Sequence, residues 1–404
     1  MDGPMNCMNN LFKISGAVQH YAWGGHEFIP RLLGVKNKDR KPFAELWLGA
    51  HPQAPSAAIV DGKKLPLHEL IAENPQLLGK DVSRRFGRLP FLFKILDARD
   101  MLSIQVHPSK AQAEAGFARE NAAGVPLDSP RRNYKDDNHK PEVHVPLTDF
   151  WMLHSFRPIA ELQHQFQVVA ELAPLLPVFA NGGLEGLYRH VMTLPQAQVD
   201  DLLEPLLTRL TANPPTDKDS PDHWALKAAQ TFPLPDGRYD RGIFSIYLLN
   251  LLHLQPGQGT FQDAGVPHAY LHGVTVELMA NSDNVLRGGL TSKHIDVEAL
   301  LKTVVYDAAH ARILTGRSMS EAEVVYQTPA PDFQLSEMNV KPGQSAVIDS
   351  SGPSIFLVTA GEVEAACGAA IDCEKGQAFF SAAGCKVTLV SKSGARLFRA
   401  GVPL

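Results

Sequence analysis

"LSIQVHP", Leu102 to Pro108, is an apolar run that carries an amide and an imidazole two residues apart. In a strand, side chains at i and i+2 point to one face, so Gln105 and His107 are aimed together. Two readings account for the pair: a hydrogen-bonded polar couple inside a core, or two ligands of one metal. Two more segments repeat the pattern. "NHKPEVHV", 138–145, alternates Lys140, Glu142 and His144, with Pro141 demanding an edge or a strand start. "GVPHAYLHG" sets His268 and Tyr270 at i and i+2, and "VELMANSDNVLRGGLTSKHIDV" follows with Glu277, Asp283, Arg287 and Lys293. Gln105, His107, Glu142 and His268 make an N2O2 set of the kind Zn²⁺ takes, with a position left for water or substrate. A glutamine donates no negative charge, so the metal would keep more of its Lewis acidity. Spacing alone leaves open whether these distant segments meet.

The chain has 404 residues, enough for two or three domains. Lys plus Arg total 38 and Asp plus Glu 43, a net charge of −5, so no global basic field exists for nucleic acid. Attraction for an anionic substrate must be local. "MDGPMNCMNNLFKISG" shows no basic-then-apolar leader, and the nearest approach to a membrane span, "GIFSIYLLNLLHL", is too short. The four cysteines, Cys7, Cys367, Cys373 and Cys385, fit no zinc knuckle. A disulfide framework is not expected in a chain this size, and the reading is of thiols in a reducing cytoplasm.

Working outward, "SAAIVDGKKLPL" reads as a hairpin around Asp61-Gly62, and "LPFLFKILDARDMLSIQVHP" as two strands around a polar turn. The long segment between Ser109 and Lys140 reads as unstructured, hence functional or mobile. After Arg157 the period changes. Ile159, Leu162, Phe166, Val169 and Leu172 keep a three-or-four spacing, as do Leu202, Leu203, Leu206, Leu207 and Leu210. Ser220 is an N-cap candidate with Pro221 behind it. From about 320 short strands separated by Gly, Ser and Asp suggest a sandwich or jelly roll. The expected fold is mainly β with an α-helical insertion. A β domain would span 1–154 and 241–319, helices 155–240, and a second β domain 320–404. The first and last regions are candidates for a shared β pairing.

"FAELWLGAHP", "PFLFKIL", "LSIQVHP", "RNYKDDNHKPE", "GVPHAYLHG" and "VELMANSDNVLRGGLTSKH", in this order, resemble type I mannose-6-phosphate isomerase. The resemblance runs from "YAWGG" near residue 21 to about residue 300; the C-terminal part carries no matching motif. It implies a zinc-dependent cupin-type enzyme that interconverts mannose 6-phosphate and fructose 6-phosphate. It also implies a central jelly-roll catalytic domain, a helical insertion and a C-terminal jelly roll. By the same resemblance Gln105, His107, Glu142 and His268 hold one Zn²⁺ and Arg287 is the active-site arginine. His144 has no counterpart in the pattern; it either lies behind the ligands or faces solvent, as against a fifth ligand.

Aldose–ketose isomerisation moves a proton between C1 and C2 through an enediol-like state, which calls for a base and for donors facing the oxygen that gains charge. Lys140 is one candidate base, its ammonium disfavoured by neighbouring cations; the alternative is pairing with phosphate or Glu142. Glu277 is the rival base, with a salt bridge as its alternative. Asp283 assists ring opening or closes an Asx turn. Arg287 suits an oxyanion. Lys94 and Lys293 orient the phosphate, with Ser103 as a hydroxyl donor; a lone lysine in "FLFKIL" is costly without such a task. Trp23 and Tyr270 wall the sugar or pack the core. Glu45, Trp47 and His51 read as structural support. The expected partner is a small phosphosugar, with no nucleic acid or membrane, and the chain is expected to be a cytoplasmic monomer. Two rivals stand beside this reading: an Fe²⁺ cupin oxygenase, against which Gln105 and the Arg287/Lys293 pair argue, and a sugar-phosphate-binding cupin without activity.

Overall fold

The computed structural model describes residues 10–403, so Cys7 and the first nine residues of the N-terminal stretch lie outside the described residues. Among the described residues, two antiparallel sheets, of 12 and 11 strands, organise the molecule. The smaller one is organised on a long strand, His268–Ala280. One flank of this strand pairs with Phe91–Ala98, setting Glu277 opposite Lys94. The other pairs with Glu142–Pro146, setting Met279 opposite Glu142. Near its start His268 lies opposite both Gln105 and His154. This one strand gathers the three segments whose meeting the spacing left open.

Alternation then sorts the faces. Val276, Leu278, Phe93, Ile95, Val143 and Val145 turn outward and pack on Ile355, Leu357, Phe380 and Phe398 of the larger sheet. Glu277, Lys94, Glu142 and His144 are left on the inner face. "LSIQVHP" is sorted the same way. Ile104 and Val106 are buried among Leu162, Phe166, Leu203 and Leu206 of the helical block, while Gln105 and His107 take the opposite side. Only Gln105–Val106 is regular strand. It pairs with His268 and Arg287, so the two strands of "LPFLFKILDARDMLSIQVHP" are present but find other partners than each other.

The helices Ile159–Val168, Leu175–Thr193, Gln196–Ala212 and Pro221–Thr231 follow one another as the periodicity predicts. Ser220 caps the last, accepting from Asp222 N–H, with Pro221 at its first position. Ile159, at the start of the stripe, is 43% exposed and does not join the core. Asp61 and Gly62 both have positive φ, as a type I′ hairpin requires. This hairpin and Leu11–Ser15 belong to the larger sheet, where Leu11–Ser15 pairs with Ala378–Ser381. The first and last regions are therefore joined strand to strand.

Two expectations are corrected. The segment after Ser109 is not unstructured. It forms a helix, Lys110–Ala122, closed by a capping box of Ser109 and Gln112. The rest is tied down by Glu120, which accepts from the backbone of Asn133 and Tyr134, and by Asn284, which accepts from Lys135 and Asp136. Cys367 and Cys385 are joined as a disulfide between neighbouring strands, and Cys373 is a buried thiol.

Candidate active site and metal centre

Each histidine of the inner cluster is held through one ring nitrogen. His107 Nδ1 lies 2.8 Å from the Asn284 carbonyl and His268 Nδ1 lies 3.0 Å from the Val266 carbonyl. A carbonyl only accepts, so both Nδ1 atoms carry the proton and both Nε2 atoms present a lone pair. These lone pairs converge on Glu142, at 3.4 Å from Oε1 for His107 and 3.3 Å from Oε2 for His268. His107 Nε2 is buried and has no hydrogen-bond partner. The three donor groups lie within 4.8 Å of one another. Burial pushes the His107 imidazolium down to about 4, aided by the Lys140 ammonium. Burial would raise the Glu142 carboxyl, but Lys140 and His107 outweigh it and hold it well below the usual range. The set therefore offers two imidazole Nε2 atoms and a carboxylate, each group oriented by a further contact. That is what a divalent cation of the zinc class requires. Gln105 lines the same small chamber beside Glu142 and His268.

This chamber opens into a cavity of about 790 Å³ lined by Trp23, Lys94, Ser103, Gln105, Lys140, Asp283, Arg287 and Lys293. Tyr270 and Glu277 line the chamber itself. Twelve of the thirteen candidate site residues thus line one space, and the thirteenth, His107, is buried behind it beside Glu142. Lys94 Nζ lies 3.2 Å from Glu277 and 3.8 Å from Glu45. Burial would lower this ammonium, but Glu45 and Glu277 together hold it above the usual lysine range. Glu277 accepts from Tyr270 Oη at 2.7 Å. Its carboxyl is raised by burial, against Lys94 and with Glu142. Lys140 Nζ lies 3.0 Å from Glu142 Oε1.

At the mouth, burial lowers both Arg287 and Lys293, and Lys293 is lowered further by Arg287 and by Lys135. Lys135 also lines the cavity and was missed from the sequence, where a single charge in "NYKDDNHK" has no periodic partner. Thr291 and Ser292 were missed too; they flank Lys293 on the same wall.

Three other readings change in detail. Asp283 does not close an Asx turn with its side chain. It accepts from Gln53 Nε2 at 3.0 Å and lies 3.5 Å from His51 Nε2, while Ser282 Oγ makes the local turn contact to Asn284 N–H. Glu45 and Trp47, read as structural support, also line the cavity. His144 does not face solvent. It is fully buried, within hydrogen-bond reach of Thr260 Oγ1 at 2.6 Å and of Thr275 Oγ1 at 3.2 Å, with its ring 5.2 Å from that of Tyr270. It stands apart from the donor cluster.

Residues 11–159 match the family model of the phosphomannose isomerase type I catalytic domain. The mannose-6-phosphate isomerase of Escherichia coli (strain K12) is 39% identical over 355 residues, covering 86% of this chain and 88% of the relative. That of Homo sapiens is 36% identical over 389 residues, covering 87% and 88%. The crystal structure of the Salmonella typhimurium enzyme bound to fructose 6-phosphate and zinc superimposes with a TM-score of 0.88 at 35% identity, covering 98% of this chain and all of that one. With two curated relatives aligned along most of their length and the same fold throughout, the chain belongs to the type I mannose-6-phosphate isomerase family.

Proposed function

We propose that the chain is a zinc-dependent aldose–ketose isomerase that interconverts mannose 6-phosphate and fructose 6-phosphate. The observation that carries the reading is the position of the His107–Glu142–His268 cluster, with its converging lone pairs, at the floor of a cavity whose mouth is cationic. Gln105, His107, Glu142 and His268 hold the metal, which when bound supplies Lewis acidity toward the sugar carbonyl. The chain's own residues do the rest. Lys140 and Glu277 stand on the two sides of the chamber as bases for the proton carried between C1 and C2. Glu277 is suited to the task because burial and Glu142 raise its carboxyl. Arg287 donates toward the oxygen that gains charge in the enediol-like state. Lys293 and Lys135, with Ser103 and Lys94, orient the phosphosugar, Asp283 assists ring opening, and Trp23 and Tyr270 wall the sugar.

The site is complete within one chain, which supports a monomer, and we place the protein in the cytoplasm. Among the described residues no helix is long and apolar enough to cross a membrane. We divide the chain into a catalytic unit of 1–154 and 241–319, a helical unit of 155–240 and a second β unit of 320–404. Leu11–Ser15 and the hairpin that follows lend strands to the last of these.

A coupled assay of mannose 6-phosphate turnover, before and after chelation and with zinc added back, tests the reading. Activity lost and then restored by zinc supports it. Bound zinc with no turnover leaves a sugar-phosphate-binding protein, and O₂ consumption by an iron-loaded chain that does not isomerise the sugar turns it toward the oxygenase class.

A further inference from the structure

The wall that carries Arg287 and Lys293 is built on an irregular turn. Gly289 has φ +123° and Leu290, fully buried, has φ +55°. A non-glycine residue in the left-handed region persists only where its surroundings over-determine it. One side of the turn is fixed to the strand of Gln105: Gly288 N–H donates to the Ile104 carbonyl at 2.9 Å, and Ile104 N–H to Gly289 at 3.1 Å. The other side ends on a single side chain. Asp240, only 3% exposed, accepts from Gly242, Leu290 and Thr291 N–H at 2.7, 2.9 and 3.2 Å. The backbones pass so closely that a Cβ on Gly289 would stand 2.4 Å from the Gly242 Cα. Asp240 is in turn fastened to the helical block. Tyr239 N–H donates to Asp200, Gln196 donates to the Tyr239 carbonyl, and Arg241 donates to the Met192 carbonyl.

We propose that Asp240 is a positioning residue for substrate binding. It holds the left-handed turn through which the helical block sets Thr291, Ser292 and Lys293 against the phosphate end of the substrate. A buried carboxylate is retained here because no neutral side chain of its size accepts from all three N–H groups. The inference rests on the proposed function only in taking this wall as the phosphate side of the cavity.

The test compares wild type with Asp240→Asn, zinc-loaded, by calorimetric titration with fructose 6-phosphate and by steady-state kinetics. The asparagine amide sets a donor against a backbone N–H, so the turn loosens. Expected are unchanged zinc content, fructose 6-phosphate affinity weaker by about tenfold and KM raised by a similar factor, with kcat within about threefold. A folded, zinc-loaded variant with wild-type affinity and KM overturns the proposal. So does one whose kcat falls while KM stays put. If the variant does not fold, amide exchange in the wild-type chain decides. Leu290 and Thr291 are expected among the slowest amides, and fast exchange at both overturns the proposal. A wild-type chain that binds fructose 6-phosphate without turning it over defeats the isomerase reading, while the affinity comparison still judges Asp240.

Discussion

Replacing Lys94 with methionine removes a charge and little volume, so its effect reads the electrostatics of the chamber almost alone. Lys94 is set between Glu277 at 3.2 Å and Glu45 at 3.8 Å, all three nearly buried. At an effective dielectric constant of about 20, these distances correspond to about 5 and about 4 kcal/mol of attraction. Taking the ions out of water cancels much of this, and breaking a buried pair costs ~3–5 kcal/mol because a charge is left without its partner. Lys94→Met is therefore expected to destabilise the zinc-free chain by ~4 kcal/mol near neutral pH. The loss must depend on pH. Without Lys94 the Glu277 carboxyl rises further above its unfolded value. A group raised in this way binds more protons folded than unfolded. The variant's stability is then retained at low pH and lost as pH rises through the folded pKa. Urea unfolding of both chains at about pH 5 and about pH 8, read at equal m, checks this. The double variant Lys94→Met with Glu277→Gln is expected to recover most of the loss, since the glutamine oxygen still accepts from Tyr270. A loss equal at both pH values, or below ~1 kcal/mol, refutes the electrostatic account of the chamber.

Two buried groups act in opposite directions over one acid window. Asp97, 8% exposed, has its carboxyl raised to about 6, chiefly by burial. Its share of stability is present below about pH 4 and is lost as pH rises through 6, so Asp97→Asn should gain up to ~3 kcal/mol at neutral pH and nothing near pH 4, by urea unfolding. His154, beside the cluster, has its imidazolium lowered to about 4, first by burial and then by His268. Its neutral folded form costs stability as pH falls from about 6.5 toward 4, so His154→Gln should flatten the acid side of the stability curve by ~3 kcal/mol. A Gln variant whose acid slope matches wild type would show that His154 is not the group responsible.

What was legible in the sequence follows from the range of the interactions. The i, i+2 pairs at Gln105 and His107, Lys140 and Glu142, and His268 and Tyr270 are local; five of these six residues line the chamber, and His107 reaches Glu142 from behind it. Of the leucine stripe at 202–210, Leu203, Leu206, Leu207 and Leu210 are buried as its period predicts, and Leu202 is half-buried against the same core. The capping box at Ser109 and Gln112 was also local, and a search for S-x-x-Q would have found that helix. Other features depend on partners far along the chain. Asn284 orders 135–136 across almost 150 residues, and Leu11–Ser15 takes its partners from both the hairpin strand Ala57–Val60 and the C-terminal strand Ala378–Ser381. Among the described residues Asp240 accepts only from backbone N–H groups, which leave no residue-type signal. The Cys367–Cys385 pairing likewise depends on strand register, which spacing does not show.

The most direct test of the central claim is a stoichiometric one. Zinc is titrated into the chelated chain while mannose 6-phosphate turnover is followed. The account predicts activity that climbs linearly and stops at one zinc per chain, with Glu142→Gln abolishing both the tight site and the climb. Turnover at zero zinc, or full turnover in the Gln variant, would contradict it.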